Sequence, residues 1–84
     1  MDPKSIECFA ALAETGNFTC AARRCGLSQP ALTRALRGLE EQAQAPLFQR
    51  QRNDIRLTDA GVRLLAVLRP TATVLRQLAV RRHG

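Results

Sequence analysis

Two glycines, Gly16 and Gly26, cut the first part of this 84-residue chain into pieces too short for anything but small helices. Ahead of the first, Ile6, Phe9, Ala10 and Ala13 recur at helical spacing with Leu12 alongside, so a helix is expected over residues 5–15 with Gly16 as its stop. Between the glycines, Asn17 or Thr19 caps a second helix from about Cys20 to Arg24 or Cys25, with Ala21, Ala22 and Cys25 facing inward. It has barely two turns. Leu27 then anchors a tight turn, and Ser28 caps a third helix whose first turn holds Pro30, where a missing N–H costs little.

The third helix carries two adjoining faces. Leu32, Leu36 and Leu39 form one, and Gln29, Thr33 and Arg37, with Arg34 beside them, form the other. No carboxylate joins the polar face before Glu40 and Glu41. A face that is only solvated normally mixes both signs of charge, so this one suits a phosphate-lined groove better than bulk water. Gly38 on the same helix costs about 1 kcal/mol relative to Ala, and either close approach of another backbone or simple tolerance accounts for it.

Around Pro46 the period changes. Residues 47–50 and 55–58 are short half-alternating runs joined by Gln51-Arg52-Asn53-Asp54, which predicts a β-hairpin with Arg50, Arg52 and Arg56 around it. A two-stranded ribbon is marginal alone, so Leu47, Phe48, Ile55 and Leu57 should pack against the helices. Thr58-Asp59 then caps a long last helix reaching at least Val80, whose apolar stripe runs through Leu64/Leu65, Val67/Leu68, Thr71/Ala72, Val74/Leu75 and Leu78/Ala79. One small domain cannot cover such a stripe. Its first two turns belong to the domain's own core, and the remainder is expected to pair with the same helix of a second chain. Pro70 should kink this helix or break it locally near Leu68 to Arg69.

Composition narrows the function. Thirteen Lys plus Arg stand against seven Asp plus Glu, a net charge of +6, and twelve of the bases are Arg, which points to a polyanionic partner. Residues 17–39 hold Arg23, Arg24, Arg34 and Arg37 with no acid at all. Any single Arg can simply solvate a helix face; the clustering is what points to a ligand. Cys8, Cys20 and Cys25 with the lone His83 assemble no zinc site, disulfide framework or nucleophile pair, so the thiols are expected to be small core or half-buried fillers and no cofactor is implied. An enzyme is the weakest reading, since there is no carboxylate pair, Gly-rich phosphate loop or His-based constellation. With neither an apolar leader nor a membrane-spanning run, the chain is expected to be cytoplasmic.

Two short helices joined by a turn, the second with an acid-free polar face, followed by a basic hairpin, make up the winged helix-turn-helix plan for reading duplex DNA: a mainly α fold of three helices and a two-stranded wing, followed by a long helix. A partner-binding winged helix and a nonspecific nucleoid-type binder share that architecture. The residues are also familiar. Ala-Glu-Thr-Gly-Asn-Phe-Thr (13–19), Ala-Ala-Arg-Arg (21–24), Leu-Ser-Gln-Pro-Ala-Leu-Thr-Arg (27–34), Leu-Glu-Glu (39–41), Pro-Leu-Phe-Gln-Arg (46–50) and Arg-Leu-Thr-Asp-Ala-Gly (56–61) resemble, in collinear order, the N-terminal domain of bacterial LysR-type transcriptional regulators.

The resemblance implies a DNA-binding domain over residues 1–58 and a linker helix over 59–84 that joins two chains. It implies that Gln29, Pro30, Thr33 and Arg34 face bases in the major groove, that Ser28, Arg37 and Arg50 serve phosphates, and that Arg52 in the wing approaches the minor groove. The partner would be an interrupted dyad operator in double-stranded DNA, bound by a homodimer held through positions including Leu65, Leu68, Ala72, Leu75 and Ala79. A small-molecule effector would act only on a further domain that full-length members carry after the linker, and the present chain is expected to be the DNA-binding part alone. Five residues depart from the family pattern. Cys25 and Ala43 replace larger aliphatics, Gln44 replaces the usual Gly after the third helix, and Asn53-Asp54 at the wing tip lacks the usual Gly or additional base.

Overall fold

A computed structural model describes residues 2–51 and 54–68. Three helices, α1 (Pro3–Thr15), α2 (Phe18–Cys25) and α3 (Gln29–Ala43), are followed by strands β1 (Phe48–Gln51) and β2 (Asp54–Leu57), and residues 59–68 form a further helix, α4. This is the winged helix-turn-helix plan expected from the sequence. Arg52 at the wing tip, the Pro70 region, and Ala72, Leu75 and Ala79 on the apolar stripe lie outside the described residues.

Local chemistry sets the helix ends. Asp2, Asn17 and Ser28 are the N-caps of α1, α2 and α3, their side chains accepting from the backbone N–H of Ser5, Cys20 and Ala31. Of the two candidates for α2, the structure uses Asn17, whose Oδ1 lies 2.9 Å from the Cys20 nitrogen. That starts the helix at Phe18, two residues before the expected point, and leaves the Thr19 hydroxyl uncommitted to capping. Gly16 and Gly26 close α1 and α2 in the left-handed conformation, at φ 64° and 68°. At the end of α3 the same conformation falls on Gln44, at φ 55°, with its N–H bonded to the carbonyls of Glu40 and Glu41. The helix therefore stops where a glycine would have stopped it, with a side chain held in a conformation that L-residues disfavour.

The core is aliphatic with one aromatic pair. Phe9, Leu12, Leu32, Leu39 and Leu47 are almost fully buried, together with Cys8, Ala21, Ala22, Cys25 and Leu36. Each such Leu or Phe stabilises the fold by roughly 1.5–3 kcal/mol through burial. On α1 the buried face is Ser5, Cys8, Phe9, Ala11 and Leu12. The stripe expected from spacing shares only its centre with this face, because Ile6, Ala10 and Ala13 are half-buried flank positions. Periodicity fixes the period of a helix but not its rotation, and here small Cys8 and Ala11 let α2 and α3 approach. Cys8 and Cys25 are core fillers as expected, whereas Cys20 is exposed.

The wing is an antiparallel hairpin pairing Phe48 with Leu57, Gln49 with Arg56, Arg50 with Ile55, and Gln51 with Asp54. Leu47 precedes the strand, because its N–H donates to Glu40 Oε2 at 2.6 Å and its carbonyl accepts from Thr58 N at 3.0 Å. Phe48, Arg50, Ile55 and Leu57 thus share the face turned to the helices, where the Phe48 ring packs 5.4 Å from that of Phe9 at a tilt of 53°. Thr58 caps α4 by accepting from Gly61 N, and its hydroxyl donates to the Pro46 carbonyl. A Cβ on Gly61 would collide with the Leu47 carbonyl oxygen and come within 2.9 Å of Leu57 Cδ2. The Thr-Asp-Ala-Gly run is therefore the joint at which α4 crosses the base of the wing. Leu64, Leu65 and Leu68 of α4 pack against the core.

Candidate nucleic-acid interface

The exposed side of α3 gathers what its periodicity promised. Gln29, Pro30, Thr33, Arg34 and Arg37 line one shallow depression on the surface, with no carboxylate among them. All but Thr33, which is half-buried, are exposed, whereas Leu32, Leu36 and Leu39 on the other side of the helix are in the core. Arg24, in the same acid-free segment, is tied to Glu14 of α1 at 2.6 Å. Among the described residues no ion pair engages Arg23, Arg34, Arg37 or Arg50. Three of those four guanidinium groups stand on α3 or the inner face of the wing.

The first turn of α3 is less open to an anion than a helix start usually is. Pro30 has no N–H, Ser28 Oγ takes the N–H of Ala31 at 3.2 Å, and of the N–H groups within this turn of the helix only that of Gln29 is left. The start of α2 compensates, because capping by Asn17 leaves the N–H groups of Phe18 and Thr19 without intrahelical partners. Arg50 reaches that point from the wing, its guanidinium carbon 4.7 Å from the centre of the Phe18 ring. Gly16, Asn17, Phe18, Thr19, Arg50, Asp54 and Ile55 bound the resulting cleft. A second crevice, between α3 and the wing, brings Arg37 and Arg50 together across Phe18, Thr33, Leu36, Phe48 and Ile55, with the Glu40 carboxylate that holds Leu47 also on its wall. Arg50 and Arg37, both expected at phosphates, therefore share a crevice. Arg56 instead lies on the outer face of the hairpin and pairs with Asp54 at 3.2 Å.

Three residues to which the sequence reading gives no role at the interface have a part in this geometry. Phe18 is the platform under Arg50. Glu40 holds the base of the wing to α3. Thr19 accepts a hydrogen bond from Gln29 Nε2 at 2.9 Å, joining the first turns of α2 and α3. Phe18 stands out in the sequence only as one of three aromatics, next to a helix cap, Thr19 only as an alternative cap, and Glu40 only as an acid at the end of the acid-free stretch.

Fold and surface define a winged helix-turn-helix protein with a cationic, hydrogen-bonding face on its third helix. Residues 3–62 match the model of the bacterial regulatory helix-turn-helix proteins of the LysR family, and the chain belongs to that family. It is 41% identical over 85 residues to an HTH-type transcriptional regulator from the ibpB-leuC intergenic region of Azotobacter vinelandii, covering 93% of this chain and 59% of that protein. It is 38% identical to the HTH-type transcriptional regulator MetR of Haemophilus influenzae, covering 96% of this chain and 28% of the relative. The chain thus spans less than two thirds of the length of each of these relatives. Among solved structures, the DNA-binding domain of CbnR in complex with DNA superimposes with a TM-score of 0.78 at 32% identity, over 99% of this chain and 95% of that one. A LysR-family transcriptional regulator from Eggerthella lenta gives 0.76 at 34% identity, over 81% of this chain and 97% of the other. Among the described residues no helix is long and apolar enough to cross a membrane, and no group of His, Cys, Asp and Glu is disposed to hold a metal ion.

Proposed function

We propose that this chain binds double-stranded DNA sequence-specifically as the DNA-binding part of a dimeric transcriptional regulator, with α3 in the major groove and the wing toward the adjacent minor groove. The observation that carries this is the acid-free face of Gln29, Pro30, Thr33, Arg34 and Arg37, flanked on the wing side by Arg50. A helix of this width fits the major groove, where Gln, Thr and Arg reach base edges. In this reading Gln29, Pro30, Thr33 and Arg34 meet bases. Ser28, Arg37 and Arg50 meet phosphates, Arg50 together with the open N–H groups at the start of α2. Arg52 at the wing tip is assigned to the minor groove on sequence grounds. The likeness to the DNA-binding domain of CbnR, a LysR-family regulator solved in complex with DNA, supports duplex DNA as the ligand.

The regulator is proposed to be a homodimer joined through the linker helix of residues 59–84, so that two copies of α3 address the halves of an interrupted dyad operator. Leu65 and Leu68 already pack on the domain's own core, which leaves Ala72, Leu75 and Ala79 further along the sequence stripe as the positions for the partner helix. Any small-molecule effector would act through a domain outside these 84 residues.

Titration of duplex affinity against salt tests the reading. Each phosphate neutralised by Arg or a helix end releases counterions, so log K should fall linearly with log salt, by about 0.9 per contact. Arg37→Ala should reduce that slope by about 1 and weaken operator and scrambled duplexes alike. A slope near zero would remove DNA as the partner.

A further inference from the structure

We propose that Thr19, on α2, is a specificity-determining positioning residue: it holds the Gln29 amide so that its carbonyl oxygen and remaining N–H face outward as an acceptor–donor pair matched to adenine. This rests on the assignment of α3 to the major groove. Gln29 and Thr19 are both exposed, and the bond from Gln29 Nε2 to Thr19 Oγ1 is 2.9 Å long. A Gln amide offers two N–H donors and one carbonyl acceptor. Giving to Thr19 the N–H that points away from Oε1 leaves Oε1 and the other N–H on the same edge of the amide. That edge complements the N6 donor and N7 acceptor that adenine shows in the major groove. The reverse orientation, with Oε1 on the hydroxyl, would present two donors and suit the O6 and N7 acceptors of guanine instead.

Thr19 is available for this because Asn17, not Thr19, caps α2. The hydroxyl stands at the first turn of one helix facing the first turn of the next, and the link crosses the turn without entering the core. An unrestrained Gln side chain at the first position of α3 would sample many rotamers, and ordering it on contact with a base would cost part of the discrimination it provides. With Thr19 in place much of that ordering is done in the free protein. Pro30, next along α3, has a fixed φ and adds to the rigidity of this corner.

The test uses the 84-residue chain and the duplex it enriches from a random pool, with every base pair of that duplex then substituted singly. Gln29→Ala identifies the position that depends on Gln29, and adenine is expected there. Thr19→Val, which keeps the shape of the side chain and removes the hydroxyl, should lower the preference for adenine at that position about tenfold while leaving affinity for a scrambled duplex unchanged. Thr19→Ser should restore it. In the Gln29→Ala background, Thr19→Val should have no further effect, the coupling expected of one residue acting through the other. Thr19→Ala supplies the same readout should Val perturb the first turn of α2, and thermal midpoints show which variants are folded. The inference is overturned if Thr19→Val keeps the wild-type preference, if it weakens all duplexes equally, or if the position that depends on Gln29 prefers guanine. A Gln29→Ala protein with unaltered preferences at every position would overturn both this inference and the base-reading role of Gln29. Absence of any salt-sensitive duplex binding would instead strike the proposed function itself.

Discussion

At the scale of single residues, environment separates side chains that the sequence presents as equivalent. Of the three thiols, Cys8 and Cys25 are buried in contact and Cys20 is exposed beside the start of α2. Burial, and after it the neighbouring Cys25 thiol, push the Cys8 thiol from its ordinary 9.0 up to about 11. A group whose pKa is raised on folding contributes its stability in full below the unfolded value, and that contribution is lost as pH rises from about 9 through about 11. Iodoacetamide at pH 8 should therefore label Cys20 alone, with Cys8 and Cys25 reacting only after denaturant is added; mass spectrometry of the digest decides. The glycines divide in the same way. Nothing lies within 4 Å of a Cβ placed on Gly38, so tolerance, not close approach, explains it. Gly38→Ala should raise the unfolding free energy by up to about 1 kcal/mol. Gly61→Ala, which drives a methyl into the Leu47 carbonyl, should lower it by about 1–3 kcal/mol, both read from urea denaturation.

At the scale of elements, each helix is short enough that its ends matter as much as its middle. The end of α3 is the weak one, because Gln44 occupies the left-handed conformation at φ 55°. A left-handed residue other than glycine costs roughly 1–2 kcal/mol, against which glycine loses about 0.5–1 kcal/mol more backbone entropy on folding. Gln44→Gly should accordingly stabilise the protein by under about 1 kcal/mol and leave duplex preference unchanged, since Gln44 is remote from the face of Gln29 and Arg34. The wing depends on tertiary support more than the helices do. Glu40 fixes its base, the Phe9 and Phe48 rings anchor one strand, and Arg50 over Phe18 ties its inner face to α2. These contacts bring the guanidinium of Arg50 to the same side of the molecule as the polar face of α3. Arg50→Ala should loosen the wing and remove the proposed phosphate contact together, weakening all duplexes alike in a filter-binding or fluorescence assay.

At the scale of the whole molecule, the question is how a domain with one narrow reading helix achieves operator specificity. In the proposed dimer, two copies held at a fixed separation would supply it, because the second half-site would then be bound as an intramolecular event. Leu64, Leu65 and Leu68 pack on the core of their own domain, so the apolar positions of the stripe that follow in sequence fall to the proposed partner helix. Leu75→Glu would place a desolvated charge in that pairing and spare the domain fold. The variant is expected to keep its circular dichroism spectrum, sediment as a monomer and lose much of its operator affinity. A Leu75→Glu protein that remains a dimer would move the interface elsewhere, and one that unfolds would return the stripe to the core.

What the sequence by itself determined was everything governed by neighbours along the chain. The stops at Gly16 and Gly26, the cap at Ser28, the inward faces of α2 and α3 and the acid-free stretch of α3 depend on residues within one or two turns, where capping chemistry and periodicity act directly. The hairpin was legible for the same reason, as a change of period around a turn. Only the tertiary structure decided how α1 is rotated about its axis, since Ile6 and Cys8 are both apolar enough for a core and the choice falls to how closely α2 and α3 can pack. It also decided that the Thr19 hydroxyl meets Gln29, that Arg50 faces the helices while Arg56 faces away, and that Gly61 is required by the carbonyl of Leu47. Each of those outcomes joins parts of the chain that meet only when the helices and the wing close on one core, and no local pattern encodes such a meeting.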